Sequence, residues 1–160
     1  MFVVGDKIVY PMHGAGIIED VEEKKILGET KEYFVLRVPG GDMKIMIPVH
    51  NVEEIGIRSV ISEEEIAPLF SMLEGPSSSM PDNWNRRYRE NMEKLKTGDI
   101  FQVAEVVRNL LRADQIKKLS TGEKKMLTNA KQILISEITL CLGCMPEDAE
   151  EQVLSRVLNE

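Results

Sequence analysis

The sequence predicts an α+β chain of two domains, a small N-terminal β-barrel followed by a compact C-terminal helical bundle. Two observations carry this. Up to about Gly56 the apolar residues fall in short alternating runs broken by turn residues, and after Ser59 they recur at three- and four-residue spacing. Two Ser-x-x-Glu signatures, SEEE from Ser62 and STGE from Ser120, stand immediately before such helical stripes. With 160 residues and 42% hydrophobic content, the chain has the material for one ordinary domain or two small ones, and its composition is that of a globular protein.

In the first part, KIVY, AGIIEDVEEK, KEYFVLRV and MKIMIPV are runs rich in Val, Ile, Tyr and Phe, separated by the turn-forming HG, LGETK and PGGD. GIIEDV and EYFVLRV alternate apolar with polar residues, which gives each strand one core face. Four or five short antiparallel strands are expected, and closure into a barrel is expected because it removes exposed edges from so small a sheet. The domain boundary falls between Ile57 and Pro81. Residues 1–57 form the β domain, 58–81 a helix and linker, and 82–160 the bundle.

The helices follow in order. Ser62 to Glu65 is a capping box opening a helix with Ile66, Leu69, Phe70 and Leu73 on one face; EGPSSSMPD then breaks it as a flexible or turning connection. A second helix starts with Asp82 as N-cap and runs to Leu95 or Lys96, stopping at Gly98. Asp99 caps a third, whose Ile100, Val103, Val106, Val107, Leu110 and Leu111 form a core face. The box at Ser120 opens a long fourth helix with Met126, Leu127, Ala130, Ile133, Leu134, Ile138 and Leu142 as its stripe, ending at Gly143. Pro146 suits the first turn of a last helix reaching Leu158, whose early acids complement the dipole.

Several functions find no support in the residues. HGAG at His13 to Gly16 lacks the GK[ST] ending of a phosphate loop and precedes a strand, so it reads as a turn. Neither His13 nor His50 stands in a motif with a nucleophile or paired acid, so no catalysis, cofactor or metal is expected. Cys141 and Cys144 form CLGC at a helix end, away from the strand-to-helix turn a redox pair uses, and no second ligand pair for zinc lies nearby. The nine methionines are scattered, as gap-filling core residues are. No apolar run approaches the roughly 20 residues of a membrane span, which makes a cytoplasmic protein the expectation.

Charge is where the sequence becomes informative. The formal net charge is −7, but Trp84 to Lys131 holds twelve basic residues against six acids, while Met1 to Gly75 has seven against fourteen and the tail from Gln132 one against six. A basic block between two acidic ones suits a polyanion partner for that block alone. Within it, PDNWNRRYREN carries the single tryptophan with Arg86, Arg87, Arg89 and Tyr88. A ring in the first turn of a helix can point off the helix end, with Arg87 and Tyr88 three and four residues on along the same side. Arginine forks bind phosphate and a flat ring stacks on a base or wedges at a base step. From the residues alone two readings stay open: a nucleic-acid site, extended by Lys117, Lys118, Lys124, Lys125 and Lys131, or a mixed core and solvated helix face. Lys124 and Lys125 stand near a helix start, where the dipole disfavours them.

VGDKIVYPMHGAGII, KEYFVLRV and IPV in the first half, and NWNRRYRENMEKLKTGD, VAEVVRNL and LSTGEKKML in the second, resemble the CarD/CdnL family of bacterial RNA polymerase-binding transcription regulators. The resemblance covers nearly the whole chain in order. It implies a Tudor-like RNA polymerase-interacting domain, similar to one in the transcription-repair coupling factor, that lays an exposed strand against the polymerase β subunit. It also implies a helical domain that touches promoter DNA in the initiation holoenzyme and stabilises the open complex. Trp84 then inserts at the minor groove by the upstream edge of the bubble, Arg86, Arg87 and Arg89 hold phosphates, and Lys124 and Lys125 extend the DNA surface. Lys24 matches a basic position on the polymerase face. Met46 stands where the family pattern has another basic residue, so the contact expected there is apolar, with Ile45 or Ile47 facing inward. The competing reading is a protein–protein adaptor without DNA contact, in which Trp84 is a core residue or an interface anchor.

Overall fold

The structure, a computed structural model, describes residues 1–40 and 43–158; Gly41 and Asp42 of the expected PGGD turn lie outside the described residues, as do the last two of the bundle. The first part is a five-stranded antiparallel sheet of β1 (Lys7–Tyr10), β2 (Gly14–Ile26), β3 (Glu29–Arg37), β4 (Lys44–Pro48) and β5 (Arg58–Ser59), in the order β4-β3-β2-β1-β5. Strand β3 pairs over its whole length with Ile17–Ile26 of β2, with an irregularity between Ile18 and Asp20, which releases Glu19 to reach Arg37 and Lys44.

The expected closed barrel is corrected here: among the described residues β4 and β5 are unpaired edges and the sheet is open. The reason is local. Strand β5 has only two residues, paired with Ile8 and Val9, and the chain between β4 and β5 leaves the sheet as the short helix α1 (Val52–Ile55). Val52 of α1 and Ile57 just after it cover the core made by Ile8, Ile18, Phe34, Leu36 and Ile47, so packing stands where a fifth, closing strand pairing would supply hydrogen bonds.

The helical part comprises α2 (Ile66–Glu74), α3 (Trp84–Lys96), α4 (Ile100–Ile116), α5 (Thr121–Leu142) and α6 (Pro146–Leu158). Its core is the set of apolar stripes read from the sequence, with Val103, Val106, Val107 and Leu110 of α4 at the centre and Met126, Ala130, Ile133, Leu134 and Ile138 facing them. Leu69 and Leu73 of α2 are fully buried in the same cluster, so the helix before the connection is part of this core. Asp99 caps α4 by accepting from Phe101 N, and Gly143 ends α5 in the left-handed region.

Three local expectations change. The N-cap of α3 is Asn83 and not Asp82, because the Asn83 side chain accepts from Arg86 N at 3.0 Å. Leu142 is exposed, since α5 outruns its packing partners by its last residue. The Gly75–Pro81 connection turns as expected but is held by side chains: Arg112 donates to the Gly75 and Leu73 carbonyls at 2.6 and 3.0 Å, and the Asn109 amide donates to Ser78 Oγ at 2.8 Å. The half-buried Arg112 and the buried Asn109, whose Oδ1 also accepts from Ser78 N at 3.2 Å, thus meet backbone groups of the connection that would otherwise need water.

The long helix α5 also docks on the sheet. Ser136 Oγ accepts from Ala15 N at 2.9 Å, Lys7 Nζ donates to the Leu140 carbonyl at 3.2 Å, and Val9, Ala15 and Leu140 form a small apolar cluster. Gly14 explains the HGAG stretch: its φ is +110° and a Cβ would sit 3.0 Å from Ser136 Oγ, so only glycine lets the strand come this close to the helix.

Candidate nucleic-acid interface

The first turn of α3 lies against the first turn of α5, and this contact fixes Trp84. The indole N–H donates to Ser120 Oγ at 2.8 Å. One face of the indole stacks on Tyr88, with ring centroids 5.1 Å apart and planes 18° apart. Its benzo edge rests on Gly122, where a Cβ would stand 3.3 Å from Cζ2. With all three contacts made, Trp84 is still 40% exposed. An aromatic held on one side and bare on the other is preorganised for contact, because little rotamer entropy remains to be lost.

Beneath the ring, Arg87 turns inward. Its Nε and Nη2 donate to the two carboxylate oxygens of Glu123 at 2.8 and 3.0 Å, and its Nη1 donates to the Pro81 and Asp82 carbonyls at 3.2 Å. The Arg87 hydrogen bonds hold the Glu123 carboxyl below the usual carboxylate range against the opposing effect of its burial, and Glu123 in turn raises Arg87. The capping box expected at Ser120 is therefore only half made. Ser120 Oγ accepts from Glu123 N at 3.3 Å, but the glutamate side chain serves Arg87, with only a 3.3 Å contact from the Ser120 hydroxyl besides.

The other cations face outward. Arg86 is exposed and pairs with Glu90 at 3.2 Å, one turn on. Arg89, Lys117, Lys118, Lys124 and Lys125 are exposed and make no ion pair among the described residues. Lys131 is half-buried and reaches Glu150, so it does not join this set. What sequence reasoning missed is the cradle. Ser120, Gly122 and Glu123 looked like a helix start, and the only signal for their second role was that Trp84 and Arg87 needed partners.

On the sheet, the residues expected to face a protein partner divide. Lys24 is exposed on the β2–β3 hairpin, directly opposite Lys31. Ile45 and Met46 are half-buried on the edge strand β4, whereas Ile47 is fully buried against the sheet core, so any contact it makes is through its main chain. Elsewhere, burial pushes the Cys141 thiol up, which makes it a poor nucleophile. Among the described residues no group of His, Cys, Asp and Glu is placed to hold a metal ion, and no helix is long and apolar enough to cross a membrane.

The chain thus combines a sheet with a free edge and a helical part that presents a fixed, part-exposed indole near the unpaired Arg89, Lys124 and Lys125. Residues 2–61 match the family model described as the CarD-like/TRCF RID domain, an RNA polymerase-interacting domain, and residues 68–154 match the CarD C-terminal domain. The chain is 43% identical over 143 residues to the putative transcription factor YdeB of Bacillus subtilis (strain 168), a match covering 89% of this chain and 94% of that protein. The chain belongs to the CarD/CdnL family of bacterial RNA polymerase-binding transcription regulators, a family of regulators and not of enzymes.

Proposed function

We propose that this protein tethers itself to the RNA polymerase β subunit through its N-terminal sheet, a Tudor-like module in this reading, and stabilises the open promoter complex through its helical domain. The observation that carries the proposal is the fixed, half-bare indole of Trp84 at the start of α3. A ring that fills an unstacked base step binds melted DNA better than closed duplex, and it shifts the opening equilibrium by that difference in affinity. A preference of about 1.4 kcal/mol moves the ratio about tenfold.

The arginines take different parts. In this reading Arg86, Arg89, Lys124 and Lys125 meet backbone phosphates, which their exposure supports, while Arg87 holds the platform on which Trp84 stands. Since such contacts read phosphate and the minor groove is degenerate, sequence specificity is weak and location comes from the tether. On the sheet side, the free edge of β4, which carries Ile45 and Met46, supplies main-chain groups for strand addition, and Lys24 offers a separate cation on the β2–β3 hairpin.

The test is the lifetime of open complexes formed by the cognate holoenzyme with wild type or Trp84→Ala. A three- to tenfold shorter lifetime with polymerase binding unchanged is expected. An unchanged lifetime in a folded variant would sink the wedge and favour a purely protein-binding adaptor.

A further inference from the structure

Beside Trp84 lies a groove that the indole alone does not explain. It has a volume of about 670 Å³, with Trp84 and the Pro81–Asp82 segment on one wall and Ile116 to Ser120 on the other. Arg87 and Glu123 form its floor and neutralise each other. The far wall is preformed: Lys117 N donates to the Ala113 carbonyl at 2.9 Å and Leu119 N to Asp114 Oδ1 at 3.0 Å. On that wall Ile116, the last residue of α4, is 89% exposed, although the apolar residues of the same helix up to Leu111 are packed in the core. Lys117 and Lys118 follow it, both exposed and both without a carboxylate partner among the described residues. Once the floor pair is set aside, two lysines face the groove against the single carboxylate of Asp82.

The geometry points to this groove as the seat of one DNA strand next to the base step that Trp84 wedges, with Lys117 and Lys118 on successive phosphates and Ile116 against the sugar face. The inference rests on the proposed DNA contact of Trp84 and extends it to a second element, the end of α4. Charge chooses the occupant. A floor whose charges cancel, with an exposed isoleucine and two lysines against one carboxylate on the walls, suits a polyanion with apolar sugar edges, and Ile116 leaves water when DNA covers it. The lysines also suit the carboxyl end of α4 by its dipole, but that role bears on stability and leaves salt dependence untouched.

The experiment uses the full chain and a fluorescein-labelled 30-base-pair duplex with a central unpaired bubble, titrated by anisotropy at several KCl concentrations. Lys117→Gln/Lys118→Gln is expected to weaken binding about three- to tenfold and to lower the slope of log affinity against log salt by about one to two. Ile116→Ser is expected to weaken binding about twofold with the slope unchanged. Circular dichroism and the thermal midpoint establish that each variant is folded. If the double variant keeps the wild-type slope and affinity while Trp84→Ala still binds more weakly, the groove is not a DNA seat and the Trp84 reading stands. If Trp84→Ala binds as wild type does, the DNA reading itself fails. Loss of polymerase binding by the double variant with DNA affinity intact would overturn the inference and assign the groove to protein.

Discussion

Two arginine–glutamate pairs hold this molecule together, and both glutamates stand on α5. Glu123 in its first turn meets Arg87, and Glu137 farther along meets Arg58 through two hydrogen bonds of 2.7 Å. The two carboxylates are nearly sealed from solvent, 2% and 1% exposed, and the arginines are 22% and 30% exposed. Fourteen residues separate them in sequence, about 21 Å along the axis and just under four turns, so they project from nearly the same side. The chemistry is the same and the task is not. Arg58 and Glu137 join the sheet to the helices, with Glu137 also accepting from Ile61 N and Arg58 donating to the Gly98 carbonyl, whereas Arg87 and Glu123 hold a surface residue in place. One stiff helix thus sets the distance between the sheet and the indole.

The sharpest way to break this comparison is at the sheet end. Arg58→Ala leaves a buried carboxylate with one backbone N–H, and a loss of about 3 kcal/mol in stability is expected from urea unfolding, because an unpaired buried charge costs far more than the pair contributes. Adding Glu137→Leu recovers part of that loss, since the orphaned charge is then gone. A loss under about 0.5 kcal/mol would mean that the pair behaves as a surface ion pair and that the junction rests on the packing of Val9, Ala15 and Leu140 with the Ser136 and Lys7 hydrogen bonds.

At the other end a smaller loss, about 2 kcal/mol, is expected for Arg87→Ala, and its distinctive result is optical. The chain has a single tryptophan, so its emission reports only this site, and freeing Arg87 moves it to the red. Arg87→Lys restores charge without the fork and leaves the shift in place. Acid separates the pair in wild type. Because Arg87 holds the Glu123 carboxyl below its unfolded value, the pair's contribution is complete above about pH 4.3 and is lost as pH falls through the depressed folded value. Emission is therefore steady from pH 7 to about pH 4.3 and changes below it. In Glu123→Gln the acid-dependent change disappears, and its survival there would assign it to another carboxylate.

These pairs also mark where sequence reading reaches and stops. The α4 and α5 stripes, the Asp99 cap and the Gly143 stop were legible because periodicity and capping are local, within four residues of their cause. The Arg87–Glu123 pair spans 36 positions and Arg58–Glu137 spans 79, and no local signal announces a partner at that range. STGE was legible as a helix start, yet the same glutamate had a stronger claim from Arg87. The open sheet escaped for a related reason: strand patterns give the number of strands, while closure depends on whether the chain between β4 and β5 stays extended, and here it coils into α1. Trp84 could be placed in a first turn from spacing, but its exposure was set by Ser120 and Gly122 across the helix contact.

The smallest expected effect is the most discriminating, because it moves the indole without touching either ion pair. In Gly122→Ala the new Cβ stands 3.3 Å from Trp84 Cζ2, closer than the 3.5–4.0 Å at which carbons pack, so something must yield by a few tenths of an ångström. The indole yields, since its other side is open to solvent while α5 is anchored by the buried Glu123, Met126 and Leu127 of its first turns. Stability changes by less than about 0.5 kcal/mol, the crowding offsetting the helix preference of alanine over glycine. Emission of Trp84 shifts nonetheless as its hydrogen bond to Ser120 loosens, and on the proposed function the open-complex lifetime falls about twofold with polymerase binding unchanged. A lifetime equal to wild type, with the emission shifted, would show that the wedge tolerates a mobile ring and that its preorganisation contributes nothing to function.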